Sequence, residues 1–467
     1  MPDRESSESN TIDEISAICS AQADTAPGLR LLNELGSSDG KSWPMQRVVA
    51  FLQSRMVSTV GSNFLVFGLQ AIHAILLARL LGPQGRGEYG TAMFYAQLLI
   101  YVGLMGTLFS IARMSENWKS DFAPLQRSAI RVGLITGICA MTLSMLLVLI
   151  AIPAAKKYLV PYCLICCMLL PWEHMRLTCL AVDHGRGTFR RYNLSNVVAA
   201  AIFPALVLGL YISHIDSLWV VSCLTVIVPL SGLAFYLLVS DNRKWFGELA
   251  VAPTRLIRDG AQDGLSVLAT DLYDRLGVFL VLWLVTIEGL GNYLTAVPAA
   301  QLLVVAPNAL ALFAFKAAAN HQRKITVTQA VQSILFVLAL QVTVVFLLST
   351  ILESLLLFIY GQRFIGTVPV AQVLLLAMAA CGCAIVGDGY LRGRQRAILG
   401  VWTRVFGMLT MLMAAVLIDH PNPLLRVAWA TACGHFVNAI LIIWLVLNDV
   451  RRVAALPDRR IVEGQIC

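Results

Sequence analysis

An all-α polytopic membrane protein is the fold class that the sequence predicts, with 12 transmembrane helices in two pseudo-symmetric six-helix lobes. Three observations carry that reading. Of the 467 residues, 58% are hydrophobic and 13% charged, against about 25% charged in a soluble domain, and the mean hydropathy is +0.74. The apolar residues come in blocks of 20 to 25, and about 20 residues cross the hydrocarbon core of a bilayer as a helix. Lys and Arg fall between the blocks, on alternating sides. Together these exclude a soluble enzyme, a disordered scaffold and an all-β sandwich.

Residues 1–50 read as a disordered cytosolic tail. They are acidic, with Asp3, Glu5, Glu8, Asp13, Glu14, Asp24, Glu34 and Asp39, and too polar to bury a core. They lack the basic and apolar stretches of a signal peptide; Met45 or Met56 would also serve as a start. The N-lobe, 57–239, holds spans at 57–81, 90–112, 128–152, 158–180, 193–212 and 217–239. A charged cytosolic linker, 240–263, follows. The C-lobe, 264–447, holds spans at 264–286, 291–315, 328–352, 368–390, 398–418 and 424–447. Residues 448–467 form a second cytosolic tail.

Twelve spans can be tested against the rule that Lys and Arg stay on the cytosolic side. One side collects 23 of them, from Lys41 and Arg47 through Arg186, Arg243 and Arg392 to Arg460; the other has Arg86, Lys156, Lys157 and Arg363 alone. Both termini are therefore expected in the cytosol. The net charge of +8 sits in these loops and not in a basic stripe with interleaved aromatics, so nucleic acid is not the expected partner. Nine of the 11 cysteines fall inside apolar blocks, and no disulfide is expected. Cys163, Cys166 and Cys167 have a metal-like spacing but no aqueous ligands beside them, so packing is the better reading.

The chain repeats itself. Gly85-Arg-Gly87-Glu-Tyr89-Gly-Thr91-Ala92 leads into the second span, and Gly289-Leu-Gly291-Asn-Tyr293-Leu-Thr295-Ala296 leads into the eighth, 204 residues later. Gly185-Arg186 and Gly393-Arg394 form a weaker echo, 208 residues apart. One duplicated six-helix unit explains both. Six being even, the halves share orientation, with a pseudo-twofold axis along the membrane normal and a binding site between them.

These motifs carry a family resemblance. Leu77-Ala-Arg79-Leu-Leu-Gly82-Pro-Gln-Gly85-Arg-Gly87-Glu-Tyr89 resembles the first helix end of bacterial polysaccharide biosynthesis proteins, the Wzx-type lipid-linked oligosaccharide flippases of the multidrug/oligosaccharidyl-lipid/polysaccharide (MOP) exporter superfamily. Three later turns agree with it, at Gly185–Asn193, Gly289–Ala296 and Tyr360–Phe364. The resemblance covers residues 57 to 446. One departure matters: the family's seventh helix often carries an Arg with an Asp two residues on, whereas here Arg275 is followed by Gly277. Any carboxylate role has moved to Asp271 or Asp274.

Ionisable groups inside the membrane are the sharpest functional signal, since each costs about 2.5–3.5 kcal/mol at the bilayer centre unless paired or hydrated. Asp271, Asp274 and Arg275 lie mid-span in the seventh helix, with Asp271 and Arg275 at i, i+4. They read either as a self-satisfied pair or as a cavity site, Arg275 facing an anion and a carboxylate binding a coupling cation. Glu173 and Arg176 form a second pair in the fourth span, open to the same two readings. Asn63, Gln70 and His73 make a polar stripe on the first span, and Gln301 offers a further polar wall. A lone His such as His73 or His435 reads as a packed donor. Arg79, Arg131 and Arg404 lie near span ends, where snorkelling is expected, although Arg79 also sits in the resembling motif and is kept as a cavity candidate.

No catalytic residue or metal site is expected. The chain has no Gly-Lys-Ser/Thr after its glycines, no His-Glu-x-x-His and no Gly-x-Ser-x-Gly. The resemblance implies an alternating-access exporter in the bacterial cytoplasmic membrane. Its substrate would be a polyprenyl-pyrophosphate-linked oligosaccharide repeat unit for cell-surface polysaccharide (O-antigen, capsule or exopolysaccharide) assembly. No cofactor is implied beyond a coupling H+ or Na+; a polysaccharide polymerase is a candidate partner besides membrane lipid. Two alternatives stand beside it, a multidrug/cation antiporter of the same superfamily and an integral membrane glycan polymerase or ligase.

The topology is directly testable. Reporter fusions after residues 112, 180, 239, 315 and 390 should report cytosol, and those after 81, 152, 212, 286 and 418 the outside. Opposite locations for the fusions after 239 and 315 would break the twelve-span arrangement.

Overall fold

The structure, a computed structural model, describes residues 55–118, 121–240, 247–319 and 326–455. The tail at 1–50, residues 241–246 of the linker and residues 456–467 lie outside them. All regular elements among the described residues are helical. The N-lobe comprises α1 (Arg55–Leu104), α2 (Thr107–Glu116), α3 (Ala123–Ala151), a 3-10 turn (Ala154–Leu159), α4 (Val160–Cys167), α5 (Leu170–Arg186), α6 (Phe189–Ile212) and α7 (Leu218–Val239). The C-lobe comprises α8 (Pro253–Leu284), α9 (Ile287–Gln301), a 3-10 turn (Leu302–Val304), α10 (Val305–Ala319) and α11 (Val327–Tyr360). It ends with a 3-10 turn (Gln362–Phe364), α12 (Thr367–Gly393), α13 (Ala397–Leu417) and α14 (Pro423–Ala455).

At 1.5 Å per residue, the 50 residues of α1 would run for about 75 Å, more than two bilayer cores. The helix breaks at Gly82, whose φ of 68° is left-handed and carries no Cβ penalty in glycine. Pro83 follows without an N–H to continue the ladder. Ten helices among the described residues are long and apolar enough to cross a membrane. The sequence reading counts twelve for two reasons. Gly61–Leu104, a single 44-residue stretch by that measure, becomes two spans when divided at Gly82; and α8 holds Asp271, Asp274 and Arg275 inside its apolar run.

Several boundaries differ from the sequence reading: the second span is interrupted between Leu104 and Thr107, the ninth runs on to Tyr360, and the C-lobe's two ends shift. The helix α8 starts at Pro253, inside the segment read as linker. Its first turns are anchored in the N-lobe, where Leu256 is buried with Ile111 and Val132 and its carbonyl accepts from Ser110 Oγ at 2.8 Å. At the far end α14 continues to Ala455, beyond the apolar span. Asp449 sustains it, 3% exposed and paired with Arg396 at 2.6 Å and Arg394 at 3.3 Å. An acidic residue that hydropathy assigns to a tail is buried because two cations from the loop after α12 meet it.

Within the N-lobe α3 packs on α5 and α1 on α6; within the C-lobe α12 packs on α10 and α14, and α13 on α14. The lobes join along α1 and α9. Here the largest apolar cluster runs through both, with Leu77, Tyr89 and Tyr95 from one side and Val281, Leu290 and Tyr293 from the other.

The duplicated motifs meet each other at this joined end. A Cβ on Gly87 would clash with the Ile287 carbonyl, and a Cβ on Gly291 with the Pro83 carbonyl. Both partners of each contact are related by the 204-residue offset, so this is one interface seen twice. Thr91 and Thr295 each bond the glycine carbonyl four residues back, at 3.0 and 2.9 Å. Tyr89 Oη lies 3.1 Å from Thr225 Oγ1, and Tyr293 Oη 3.2 Å from Thr431 Oγ1. The weaker echo has the same meaning: Gly185 abuts the Ala112 carbonyl, and Gly393 the Phe315 carbonyl.

Gly185→Leu or Gly393→Leu should therefore wedge two helices apart. Overpacking of this kind costs ~1–3 kcal/mol and should lower the thermal unfolding midpoint of the purified protein in detergent. Gly68→Ala, with nothing within 4 Å of the new Cβ, should leave the midpoint unchanged or raise it.

Candidate functional site

Between the helices lies a cavity of about 700 Å³, walled by α8, α9, α10, α12, α13 and α14. A second hollow of about 550 Å³ adjoins it toward α1 and α2, and Thr270, Asp274 and Arg392 line both. The mouth between them is thus a carboxylate and a guanidinium.

The sequence places Asp271 and Arg275 one turn apart on α8, and the structure pairs them. Arg275 Nε lies 3.0 Å from both Asp271 oxygens. Nη1 reaches Gln97 Oε1 of α1 at 3.4 Å, so this side chain spans from one lobe to the other. The Arg275 side chain keeps 23% exposure. Asp274, one residue before Arg275, turns into the cavity instead. It is exposed and has no hydrogen-bond or ion-pair partner among the described residues.

The opposite wall is a cluster that sequence reading did not assemble. Asp388 on α12 accepts from Arg392 Nε at 2.8 Å and from Arg404 Nη2 on α13 at 3.0 Å. Gly400 leaves the room for it, since a Cβ there would strike the Asp388 carboxylate. Arg404 was expected to snorkel from a helix end; it is instead 9% exposed, because Asp388 supplies the counter-charge that water would otherwise supply. Tyr273 Oη lies 3.0 Å from His435 Nδ1, and Asn308, Asn438 and Gln301 complete the polar lining.

Arg275 itself lines neither hollow, although its partner Asp271 lines the second, and other candidates lie elsewhere. Glu173 and Arg176 form a bidentate pair at 2.8 and 2.6 Å, with Asn196 Oδ1 at 3.1 Å from Arg176 Nη1. They sit among α5 and α6 and line neither hollow. Asn63 and Gln70 are exposed on the first half of α1, also outside both linings. His73 packs edge-on against Phe203, ring centroids 4.5 Å apart. Arg79 donates to the Ile359 and Phe358 carbonyls at 2.6 and 2.7 Å, at the end of α11 and away from the cavity. Cys163, Cys166 and Cys167 are buried in the apolar core. No group of three or more His, Cys, Asp or Glu side chains among the described residues is placed to hold a metal ion.

Solved structures share this duplicated helical bundle. The chain is similar to an inward-facing multidrug resistance transporter of the MATE family in the MOP superfamily, with 14% identity, coverage of 84% of this chain and 96% of that one, and a TM-score of 0.66. An outward-facing MATE transporter of the superfamily matches at 14% identity, 86% and 97% coverage and a TM-score of 0.55. A MOP-superfamily transporter from Pyrococcus furiosus, described as having a binding pocket of reversed polarity, matches at 14% identity, 86% and 96% coverage and a TM-score of 0.56. No curated protein matches the chain in sequence. The family model for polysaccharide biosynthesis proteins matches residues 53–319, more than half of the chain, and the chain belongs to that family. The family is thus that of polysaccharide biosynthesis proteins, and the fold is the one seen in MOP-superfamily transporters.

Proposed function

We propose that the protein is a flippase, which moves a polyprenyl-pyrophosphate-linked oligosaccharide repeat unit from the cytosolic to the outer leaflet for cell-surface polysaccharide assembly. The proposal includes twelve spans in the bacterial cytoplasmic membrane, with both termini in the cytosol and the joined end facing outside. The observation that carries the substrate class is the placement of Arg275. Its guanidinium is held by Asp271 through Nε yet keeps part of its edge exposed, beside Gln97 of the opposite lobe.

A pyrophosphate leaving water needs charge-assisted donors, and a guanidinium presents them in a planar fork. Arg392, 48% exposed at the mouth between the hollows, offers a second. Sugars need neutral hydrogen-bonding walls, which Gln301, Asn308, Asn438 and Thr270 provide. No covalent step is required. The lobes rock against each other so that the cavity opens to one leaflet and then the other, and the headgroup crosses with it. A polysaccharide polymerase would then take up the delivered unit.

One observation favours a second reading. Asp274 faces the cavity without an ion-pair partner among the described residues, which suits a cationic drug or a coupling H+ or Na+. A drug antiporter would be served by acidic walls with few basic ones, whereas Arg392 and Arg404 line the hollows here beside Asp271, Asp274 and Asp388. The coupling-ion role therefore fits Asp274 better than a drug site does.

Arg275→Ala should abolish surface glycan at unchanged membrane-protein level, and Arg275→Lys should retain part of it, since an ammonium attracts phosphate but lacks the fork. If Arg275 only neutralised Asp271, its removal would lower protein level, by about 3–5 kcal/mol of stability for a fully buried pair. Arg275→Ala with Asp271→Ala would then restore both level and export. Recovered export in the double variant would end the substrate-contact role of Arg275.

A further inference from the structure

Two of the basic residues at the joined end reach across it to the opposite lobe. Lys156, in the turn Ala154–Leu159, is 5% exposed. Its ammonium donates to the carbonyl of Leu282 and, at 2.8 Å, to that of Val285. Arg79 donates to the carbonyls of Phe358 and Ile359. Each cation therefore occupies the end of a helix, α8 for Lys156 and α11 for Arg79. There the last carbonyls lack an intrahelical donor and the helix dipole is negative.

Both contacts run from the N-lobe to the C-lobe, and the repeat relates them. With the 204-residue offset, Arg79 aligns with Trp283 in the last turn of α8, and Lys156 aligns with Tyr360 at the end of α11. The end of the first span meets the end of the ninth; the end of the seventh meets the turn after the third. One quasi-twofold interface is built twice, with the cation on the first span in one copy and on the turn after the third span in the other. Between the two contacts lie the glycine crossings of Gly87 on Ile287 and Gly291 on Pro83.

We propose that Lys156 and Arg79 are the two latches of a gate at this end of the protein. The lobes cannot separate here unless both cations leave their helix ends. When the gate is shut, the carbonyls of α8 and α11 are satisfied by the opposite lobe; when it opens, water takes over both roles. Lys156 therefore sets how readily the cavity turns to this side, through the same helix that carries Asp271, Asp274 and Arg275. This device rests on the alternating-access part of the proposed function and not on its substrate, so its test uses no glycan.

The test places a cysteine at Gln301 in the cavity and measures its labelling by a membrane-impermeant maleimide added from the outer face of intact cells, read by peptide mass spectrometry. Lys156→Met and Arg79→Ala should each speed labelling, and together by tenfold or more. Lys156→Arg and Arg79→Lys, which keep a cation on each helix end, should stay near the parent rate. Arg363→Ala, which removes an exposed cation at the same end, should change nothing. Unchanged labelling in both single variants at normal protein level would overturn the latches. Equal acceleration by Arg363→Ala would do so too, by showing a general charge effect. Should the double variant fail to accumulate, the two singles and their conservative counterparts still decide between these outcomes.

Discussion

Two glycines without side chains allow the lobes to touch. Gly87 and Gly291 each rest on a carbonyl of the opposite lobe, Ile287 and Pro83, at a distance that no Cβ permits. Much of the fold is arranged around that crossing. Gly82 and Pro83 interrupt α1 so that its second half can enter the contact. Tyr89 and Tyr293 reach Thr225 and Thr431 in their own lobes and fix the helices that carry the glycines. A second close crossing, of Gly260 and Gly264 on Met105 and Gly106, ties the start of α8 to the N-lobe, and the cavity lies among the C-lobe helices beside it. Hydrocarbon on the flanks requires every polar group inside to find a partner within the protein or in that space.

The same requirement sorts the charges. Glu173 and Arg176 satisfy each other with Asn196 and leave nothing over for a ligand. Asp388 holds Arg404 and Arg392 together, a buried anchor that keeps α12 and α13 in register beside the cavity. Asp271 orients Arg275 through one nitrogen. What remains is Asp274 and Arg392, which line both hollows, and the outer edge of Arg275, whose partner Asp271 lines one of them. An anionic headgroup and a coupling cation are the species such a remainder can take.

Much of this was legible in the sequence. The 20- to 25-residue apolar blocks and the one-sided Lys and Arg locate the helices, because hydropathy is a local property. The repeat of Gly85–Ala92 at Gly289–Ala296 announces two lobes, and the i, i+4 spacing of Asp271 and Arg275 announces their pair. Partners on different helices were not legible. Nothing in spacing joins Asp388 to Arg404, 16 residues apart across a turn, or Arg275 to Gln97, 178 apart. Asp388 did carry a signal, an acid inside an apolar block, of the kind that singled out Asp271. Arg79 and Lys156 were misleading for a related reason: a cation near a span end looks like a snorkelling or loop residue until the helix end it serves is seen.

The substrate assignment is tested most directly by transfer in a purified system. The protein would be reconstituted into vesicles that carry a polyprenyl-pyrophosphate-linked oligosaccharide in one leaflet, and arrival of the sugar at the other leaflet followed by a lectin that does not cross the membrane. Protein-dependent arrival, lost with Arg275→Ala, is the expected result. No arrival from vesicles in which the same protein exchanges a cationic drug for H+ or Na+ would contradict the flippase and leave the cation antiporter in its place.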